Sequence, residues 1–219
     1  MKKYAIIAAG GSGQRMGSTV PKQFLEIKGK SILWHSVKAF VDAFADINIV
    51  IVTPAAYITE AQNICSEFRN IIFIEGGASR FQSVKNGLAV VKEASIVFVH
   101  DAVRCLVTKD LIQQCYEQAV EKGSAIPSVP VNDSVRMIEN DAHKVIDRSK
   151  LRIIQTPQTF KSEIILPAFA ADDNESFTDE AAVIEASGTA VHLVEGELSN
   201  IKITRPVDII IAEKILEQR

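Results

Sequence analysis

Near the start of this chain, two cations stand close to a run of glycines. Gly10-Gly11-Ser12-Gly13-Gln14-Arg15-Met16-Gly17 is followed, four residues on, by Pro21-Lys22-Gln23-Phe24. Glycines let a backbone approach a ligand closely and turn its N–H groups toward an anion. Arg15 and Lys22 add two full positive charges to the same segment. The combination suits a nucleoside triphosphate, with cations where the phosphates lie. Two better-known glycine loops do not fit. The dinucleotide fingerprint, started at Gly11, would place the bulky Met16 where Gly or Ala is needed, and no Gly-x-x-x-x-Gly-Lys-Ser/Thr run occurs.

Further along, several short islands carry groups of matching chemistry. Gly76-Gly77-Ala78-Ser79-Arg80-Phe81-Gln82-Ser83 joins a strand end to a helix start. Backbone groups in such a turn can read a base edge, and the Ser83 hydroxyl adds one directional bond. The plainer reading of Ser83 is a helix N-terminal hydroxyl with no ligand role. His100-Asp101 follows an apolar strand, which puts Asp101 at the C-terminal strand end where ligands of α/β folds collect. A carboxylate there can orient ribose hydroxyls or hold Mg²⁺ through oxygen. His100 reads as packing or hydrogen-bonding locally. Arg104 either binds an acceptor phosphate or pairs with Asp101, and both readings stay open.

The elements that must position these groups alternate along the chain. Strands are expected at Tyr4–Ala8, Asn48–Val52, Ile71–Ile74, Ile96–Val99 and Ser124–Val129, with helices at Ile32–Phe44, Ala55–Phe68, Arg80–Val91 and Lys109–Lys122. Thr53-Pro54 and Thr108 read as helix entries and Lys122-Gly123 as a helix stop. Such alternation predicts a parallel α/β sheet in a single domain covering residues 1–219. Between about Pro130 and Arg152 the pattern becomes a β-hairpin arm with Asn140-Asp141 at its turn. A two-stranded arm is marginal alone, so a second subunit is expected against it. Helices follow at Ser162–Phe169, at Asp179–Ala186 and from Pro206, with strands near Ala190–Val194 and Asn200–Ile203.

Bulk properties narrow the function. The 219 residues hold 24 Lys plus Arg against 27 Asp plus Glu, a net charge of −3. A mildly acidic chain without a basic run gives no reason to expect a nucleic-acid polymer or a membrane surface as partner. Cys65, Cys105 and Cys115 are scattered, as expected of buried thiols in a reducing compartment. The apolar stretch before Gly10 is too short for a secretion signal, so a cytoplasmic protein is expected. His35, His100, His143 and His192 have no zinc-site spacing.

Taken in order, these islands resemble the 2-C-methyl-D-erythritol 4-phosphate cytidylyltransferases of the non-mevalonate isoprenoid pathway. The others are Val145-Ile146-Asp147-Arg148-Ser149, Gln155-Thr156-Pro157-Gln158-Thr159-Phe160, Thr178-Asp179-Glu180-Ala181 and Asn200-Ile201-Lys202-Ile203-Thr204-Arg205-Pro206. The resemblance runs end to end. It implies a Rossmann-like nucleotidyltransferase fold, a homodimer through the arm, Mg²⁺ arriving with CTP, and the coupling of CTP to methylerythritol phosphate with loss of pyrophosphate. By the same resemblance Arg15, Lys22 and Lys202 are catalytic, and Ala8, Ala9, Gly10, Gly11, Gly13, Gly77, Ser83 and Asp101 bind CTP. Asp101 is also the metal candidate, while Arg104, Ser134, Arg148 and Thr156 face the acceptor, Ser134 and Arg148 across the dimer. Many relatives carry an acidic residue where this chain has Ala78, threonine at Ser134, and some an aspartate at Ser199. Thr178-Asp179-Glu180 reads equally as a helix N-cap. No fused zinc-using synthase domain is expected after Arg219.

Ribitol-5-phosphate cytidylyltransferases share the loop, the lysine and Thr-Pro-Gln, and are the alternative. Asp147-Arg148-Ser149 and Asp179-Glu180-Ala181 fit the methylerythritol enzymes better. Sugar-1-phosphate nucleotidyltransferases fit the arm and tail less well. A nucleotide-binding module without catalysis would be expected to lose charge around the triphosphate, whereas Arg15, Lys22 and Lys202 are all present.

Overall fold

Strand by strand, the apolar runs alternate between two buried faces, and that alternation builds the core. The structure, a computed structural model, describes residues 1–11, 20–140, 142–174 and 177–219; Gly13, Arg15 and Asp141 of the expected turn lie outside the described residues. Elements in chain order are β1 (Lys2–Ala8), β2 (Glu26–Ile27), β3 (Lys30–Ser31), α1 (Ile32–Ala43), β4 (Asn48–Thr53), α2 (Ile58–Ile64) and β5 (Ile71–Glu75). Next come α3 (Arg80–Leu88), β6 (Ser95–Asp101), α4 (Lys109–Lys122), β7 (Ser124–Pro130), β8 (Val135–Glu139) and β9 (Ala142–Ile146). The rest are β10 (Arg152–Ile154), β11 (Gln158–Lys161), α5 (Ser162–Ala168), α6 (Glu180–Ala186), β12 (Leu193–Glu195) and α7 (Pro206–Glu217).

Among the described residues the main sheet has eight strands, ordered β10-β7-β11-β6-β1-β4-β5 with β12 beside β7. Its centre is parallel: β1 pairs with both β4 and β6, and β4 with β5. Successive side chains of a strand point to opposite faces. Ile7, Ile51 and Phe98 therefore pack with Phe40, Leu33 and Ile112 of α1 and α4. Ile6, Val50, Val97 and Val99 pack on the other face with Phe81, Val84 and Ile165 of α3 and α5. A smaller cluster of Ile27, Ile32, Leu106, Ile203 and Ala212 seats α7.

Chain direction places the cleft. From β1 the chain moves to β4 and β5, then returns to lay β6 along the other side of β1. Such a switch in winding opens a crevice beyond the C-terminal ends of the two central strands. Ala8 pairs with Asp101 in the β1–β6 register, so the glycine-rich exit and the carboxylate end side by side.

Most element boundaries follow local chemistry. Thr108 caps α4 by accepting from the Leu111 N–H at 3.1 Å, and Gly123 ends it at φ +90°, the left-handed conformation glycine tolerates. The hairpin forms as expected: β8 and β9 pair with each other and lie largely exposed. Three expectations need correction. The Ala55–Phe68 helix is a 3₁₀ turn, Ala55–Tyr57, followed by α2, which stops at Ile64. The Ala190–Val194 strand begins only at Leu193. Asn200–Ile203 is no ladder strand; it is fixed by side chains and by the Ile203 N–H donating to the Val103 carbonyl at 2.8 Å. The antiparallel strand β11, wedged between β6 and β7, is absent from the sequence reading because Gln-Thr-Phe-Lys carries no apolar run.

Candidate active site

A cleft of about 710 Å³ opens at this switch point. Ala8, Ala9, Gly10, Gly11, Lys22, Gly77, Ser83, Asp101 and Lys202, all singled out from the sequence, line it. The exit of β1 is tied down where it meets the cleft. The Ala9 N–H donates to the Val52 carbonyl at 2.8 Å, and the Ala9 carbonyl accepts from Gln23 Nε2 at 2.6 Å. Among the described residues a Cβ on Gly10 would meet nothing within 4 Å, so the protein's own packing does not demand glycine there. The space it leaves belongs to the cleft.

On the opposite wall the turn into α3 is shaped by its own hydroxyls. Ser79 caps the helix, accepting from the Gln82 N–H at 3.0 Å. Ser83 Oγ accepts from the Gly77 N–H at 3.0 Å and donates to the Ser79 carbonyl at 2.8 Å. The Ser83 hydroxyl thus holds the loop that lines the cleft, spending its proton within the turn. Gly77 is required by packing: a Cβ there would fall 2.1 Å from Gln82 Cγ and 3.1 Å from the Gln82 backbone carbon.

The charged floor converges from four parts of the chain. Asp101 Oδ2 pairs with Lys202 Nζ at 2.8 Å, and Asp101 Oδ1 takes Arg80 Nε and Nη2 at 3.3 and 3.2 Å. Burial alone would push the Asp101 carboxyl up, but Arg80 and Lys202 outweigh it and hold it well below the usual carboxylate range. The other side of the Arg80 fork meets Glu180, Nη1 on Oε1 and Nη2 on Oε2, the latter at 3.1 Å. Glu180 is 1% exposed; burial raises its carboxyl above the ordinary value, with Arg80 pulling the other way. Lys22 Nζ reaches the Ile203 carbonyl at 2.9 Å, bringing the N-terminal lysine to the residue next to Lys202. Nothing local in the sequence marks Arg80 or Glu180, because the partners of Arg80 lie 21 and 100 residues away.

Beneath Asp101 lies a neutral relay. Thr156 Oγ1 accepts from the Asp101 N–H at 3.1 Å and meets His100 Nδ1 at 3.0 Å, while His100 Nε2 faces the Arg104 carbonyl at 3.2 Å. A carbonyl only accepts, so Nε2 carries the proton and Nδ1 accepts from Thr156. Burial pushes the His100 pKa down to about 3, which fixes it neutral at neutral pH. The ring also packs edge-on against Phe40, 5.2 Å between centroids, in keeping with the local role expected of it.

The remaining acceptor-side expectations fall outside the cleft lining. Arg104 donates to the carbonyls of Asn200 at 2.8 Å and Ile154 at 3.3 Å, and makes no ion pair with Asp101 among the described residues. Ser134 and Arg148 stand exposed at the base of the arm, with Arg148 Nη1 on the Asn132 carbonyl. Asp179 is the N-cap of α6, accepting from the Ala182 N–H at 2.9 Å. Among the described residues no group of three or more His, Cys, Asp or Glu is gathered to hold a metal ion, and no helix is long and apolar enough to cross a membrane.

Comparison with known proteins gives one family. The profile for 2-C-methyl-D-erythritol 4-phosphate cytidylyltransferase matches residues 4–218. Curated relatives of that name from Azobacteroides pseudotrichonymphae and Bacteroides thetaiotaomicron are each 41% identical; 99% of this chain is covered in both, with 99% and 100% of the relatives. The crystal structure of the 4-diphosphocytidyl-2C-methyl-D-erythritol synthase of Anaerococcus prevotii superposes with a TM-score of 0.85 at 28% identity, covering 100% of this chain and 96% of that one.

Proposed function

We propose how the cleft works from the premise that this chain belongs to the 2-C-methyl-D-erythritol 4-phosphate cytidylyltransferase family. It is a nucleotidyltransferase of isoprenoid precursor biosynthesis, joining CTP to methylerythritol phosphate and releasing pyrophosphate. The family and its named members select methylerythritol phosphate over ribitol phosphate as acceptor.

In our reading, cytosine and ribose lie between the β1 exit and the Gly77 turn, and the triphosphate lies toward Lys22. A phosphate oxygen of the acceptor forms a bond to the α-phosphorus, and the bond from that phosphorus to the bridging oxygen of pyrophosphate breaks. Negative charge grows on the oxygens around phosphorus, so fixed cations lower the barrier more than acid–base groups. Lys22 and Lys202 supply them, with Arg15 assigned to the same task by its place in the sequence. One observation carries this reading: Lys22 lies on the Ile203 carbonyl, 181 residues along the chain, so two lysines remote in sequence meet at one carboxylate-floored cleft.

A divalent cation such as Mg²⁺, held on the triphosphate oxygens, would supply charge neutralisation there. Asp101 is the one protein carboxylate we assign near it. Methylerythritol phosphate is bound by Arg148 and Ser134 from a second copy. The arm's Ile138 and Val145, on one hairpin face and 77% and 71% exposed, support burial in a homodimer. Arg148 suits a phosphate through its planar fork, and Arg104 and Thr156 stay on the acceptor side of the proposal. Three free, buried cysteines agree with a cytoplasmic location. The test is pyrophosphate release with CTP across a panel of polyol phosphates. Methylerythritol phosphate should turn over fastest; faster release with ribitol phosphate refutes the acceptor assignment.

A further inference from the structure

We infer that Arg80 is a positioning residue, locked by Glu180 so that its guanidinium fixes the Asp101 carboxylate and keeps Lys202 aimed into the cleft. The inference deepens the reaction proposed above and rests on it.

Arg80 is the first residue of α3 and Glu180 the first of α6, and each sits on a different element from Asp101. Their side chains nevertheless form a continuous chain, Glu180 to Arg80 to Asp101 to Lys202. The Glu180 end is two-pronged, with both carboxylate oxygens on the guanidinium. Such a fork fixes direction as well as distance. A carboxylate as buried as Glu180 is costly unless it is paired, and Arg80 is its hydrogen-bonding side-chain partner among the described residues. Asp179 beside it already caps α6, so Glu180 is not needed for that purpose.

Arg80 lines the cleft, with its side chain 34% exposed. Without Glu180, a guanidinium there would turn toward the bound triphosphate and release Asp101 Oδ1. Without Arg80, Asp101 would keep Lys202 as its ion-pair partner among the described residues and would be free to turn, carrying the bonded ammonium off the phosphates. Either change frees Asp101 and, through it, disturbs the placement of Lys202. It should therefore lower kcat while leaving CTP capture nearly intact.

The test is a cycle of Arg80→Met, Glu180→Gln and the double variant, in which both buried charges are gone and the fold is spared an unpaired one. Each single variant should lose roughly tenfold or more in kcat, with KM for CTP within about threefold of wild type. The double variant should be no slower than Arg80→Met, because Glu180 acts through Arg80. Wild-type kcat in Arg80→Met overturns the inference. So do multiplicative losses in the double variant, or a lowered Tm with kcat per folded molecule unchanged. Wild-type turnover of CTP with methylerythritol phosphate is the separate control for the reaction itself. A crystal structure of Arg80→Met judges the clamp without any substrate: an Asp101 carboxylate that has turned, with Lys202 displaced alongside it, supports the clamp, and both unmoved refutes it.

Discussion

Replacing Lys202 with Met removes one cation and little else. Its ammonium lies 2.8 Å from Asp101 and its side chain is 43% exposed, so the ion pair is only partly shielded from water. Pairs of that kind contribute about 0–1 kcal/mol to stability. Asp101 keeps Arg80, so no buried carboxylate is orphaned. For a chain of this length a loss of that size lowers Tm by roughly 2–4 °C at most. The reaction should suffer far more. An ammonium about 3 Å from an oxygen that gains roughly half a charge is worth about 3 kcal/mol at an effective dielectric near 20. That is about a hundredfold in kcat. Pyrophosphate release at saturating CTP, measured beside thermal unfolding of the same samples, separates the two effects. A kcat within threefold of wild type would refute the assignment of Lys202 to the developing charge. A hundredfold loss accompanied by a Tm drop of ten degrees or more would point to damaged packing instead.

Lys22→Ala should cut pyrophosphate release by about a hundredfold or more while circular dichroism stays native, since it deletes a preorganised donor and one bond to the Ile203 carbonyl; a folded variant with near wild-type turnover would refute the assignment of Lys22 to the triphosphate. In Gly77→Ala the new methyl collides with Gln82, so the turn must shift, costing about 1–3 kcal/mol of stability and raising KM for CTP; unchanged KM would free that turn from nucleotide binding. The folded His100 pKa of about 3 lies below the unfolded value near 6.5, so between them the unfolded chain holds a proton that the folded chain lacks. Stability is therefore full above about pH 6.5 and falls as pH drops toward 3, by up to about 1.4 kcal/mol per unit. Urea titrations at pH 7 and 5 should show a loss of about 2 kcal/mol that His100→Asn reduces; equal pH slopes in both proteins would contradict a buried neutral imidazole.

The relation between sequence and site is clearest at Asp101. Its place at a strand end was legible, because Ile96–Val99 is an apolar run and the chain leaves it through charged residues. Its partners were not. Arg80 lies 21 residues earlier and Lys202 about a hundred later, and no local pattern couples them. Lys202 was reached only through family resemblance. Thr156 was also named that way, yet its observed contacts run to the Asp101 N–H and His100 rather than into the cleft. The sequence alone admits both readings of Ser83, and the structure gives its hydroxyl a loop-holding role.

Features that depend on neighbours a few residues apart could be read directly from the chain. Apolar runs marked the central strands, Thr108 and Gly123 bounded α4, and the glycine-rich exit with Lys22 announced an anion site. Periodicity, capping and backbone freedom are all short-range properties. Long-range packing sets the rest: β11 wedges between β6 and β7 against the run of the sheet, Asn200–Ile203 joins no ladder, and Glu180 reaches Arg80. Those outcomes depend on which surfaces meet once the sheet has wound, reversed direction at β1 and closed a crevice. Electrostatic pairing across that crevice acts over ångströms in space, and separation along the chain carries no record of it.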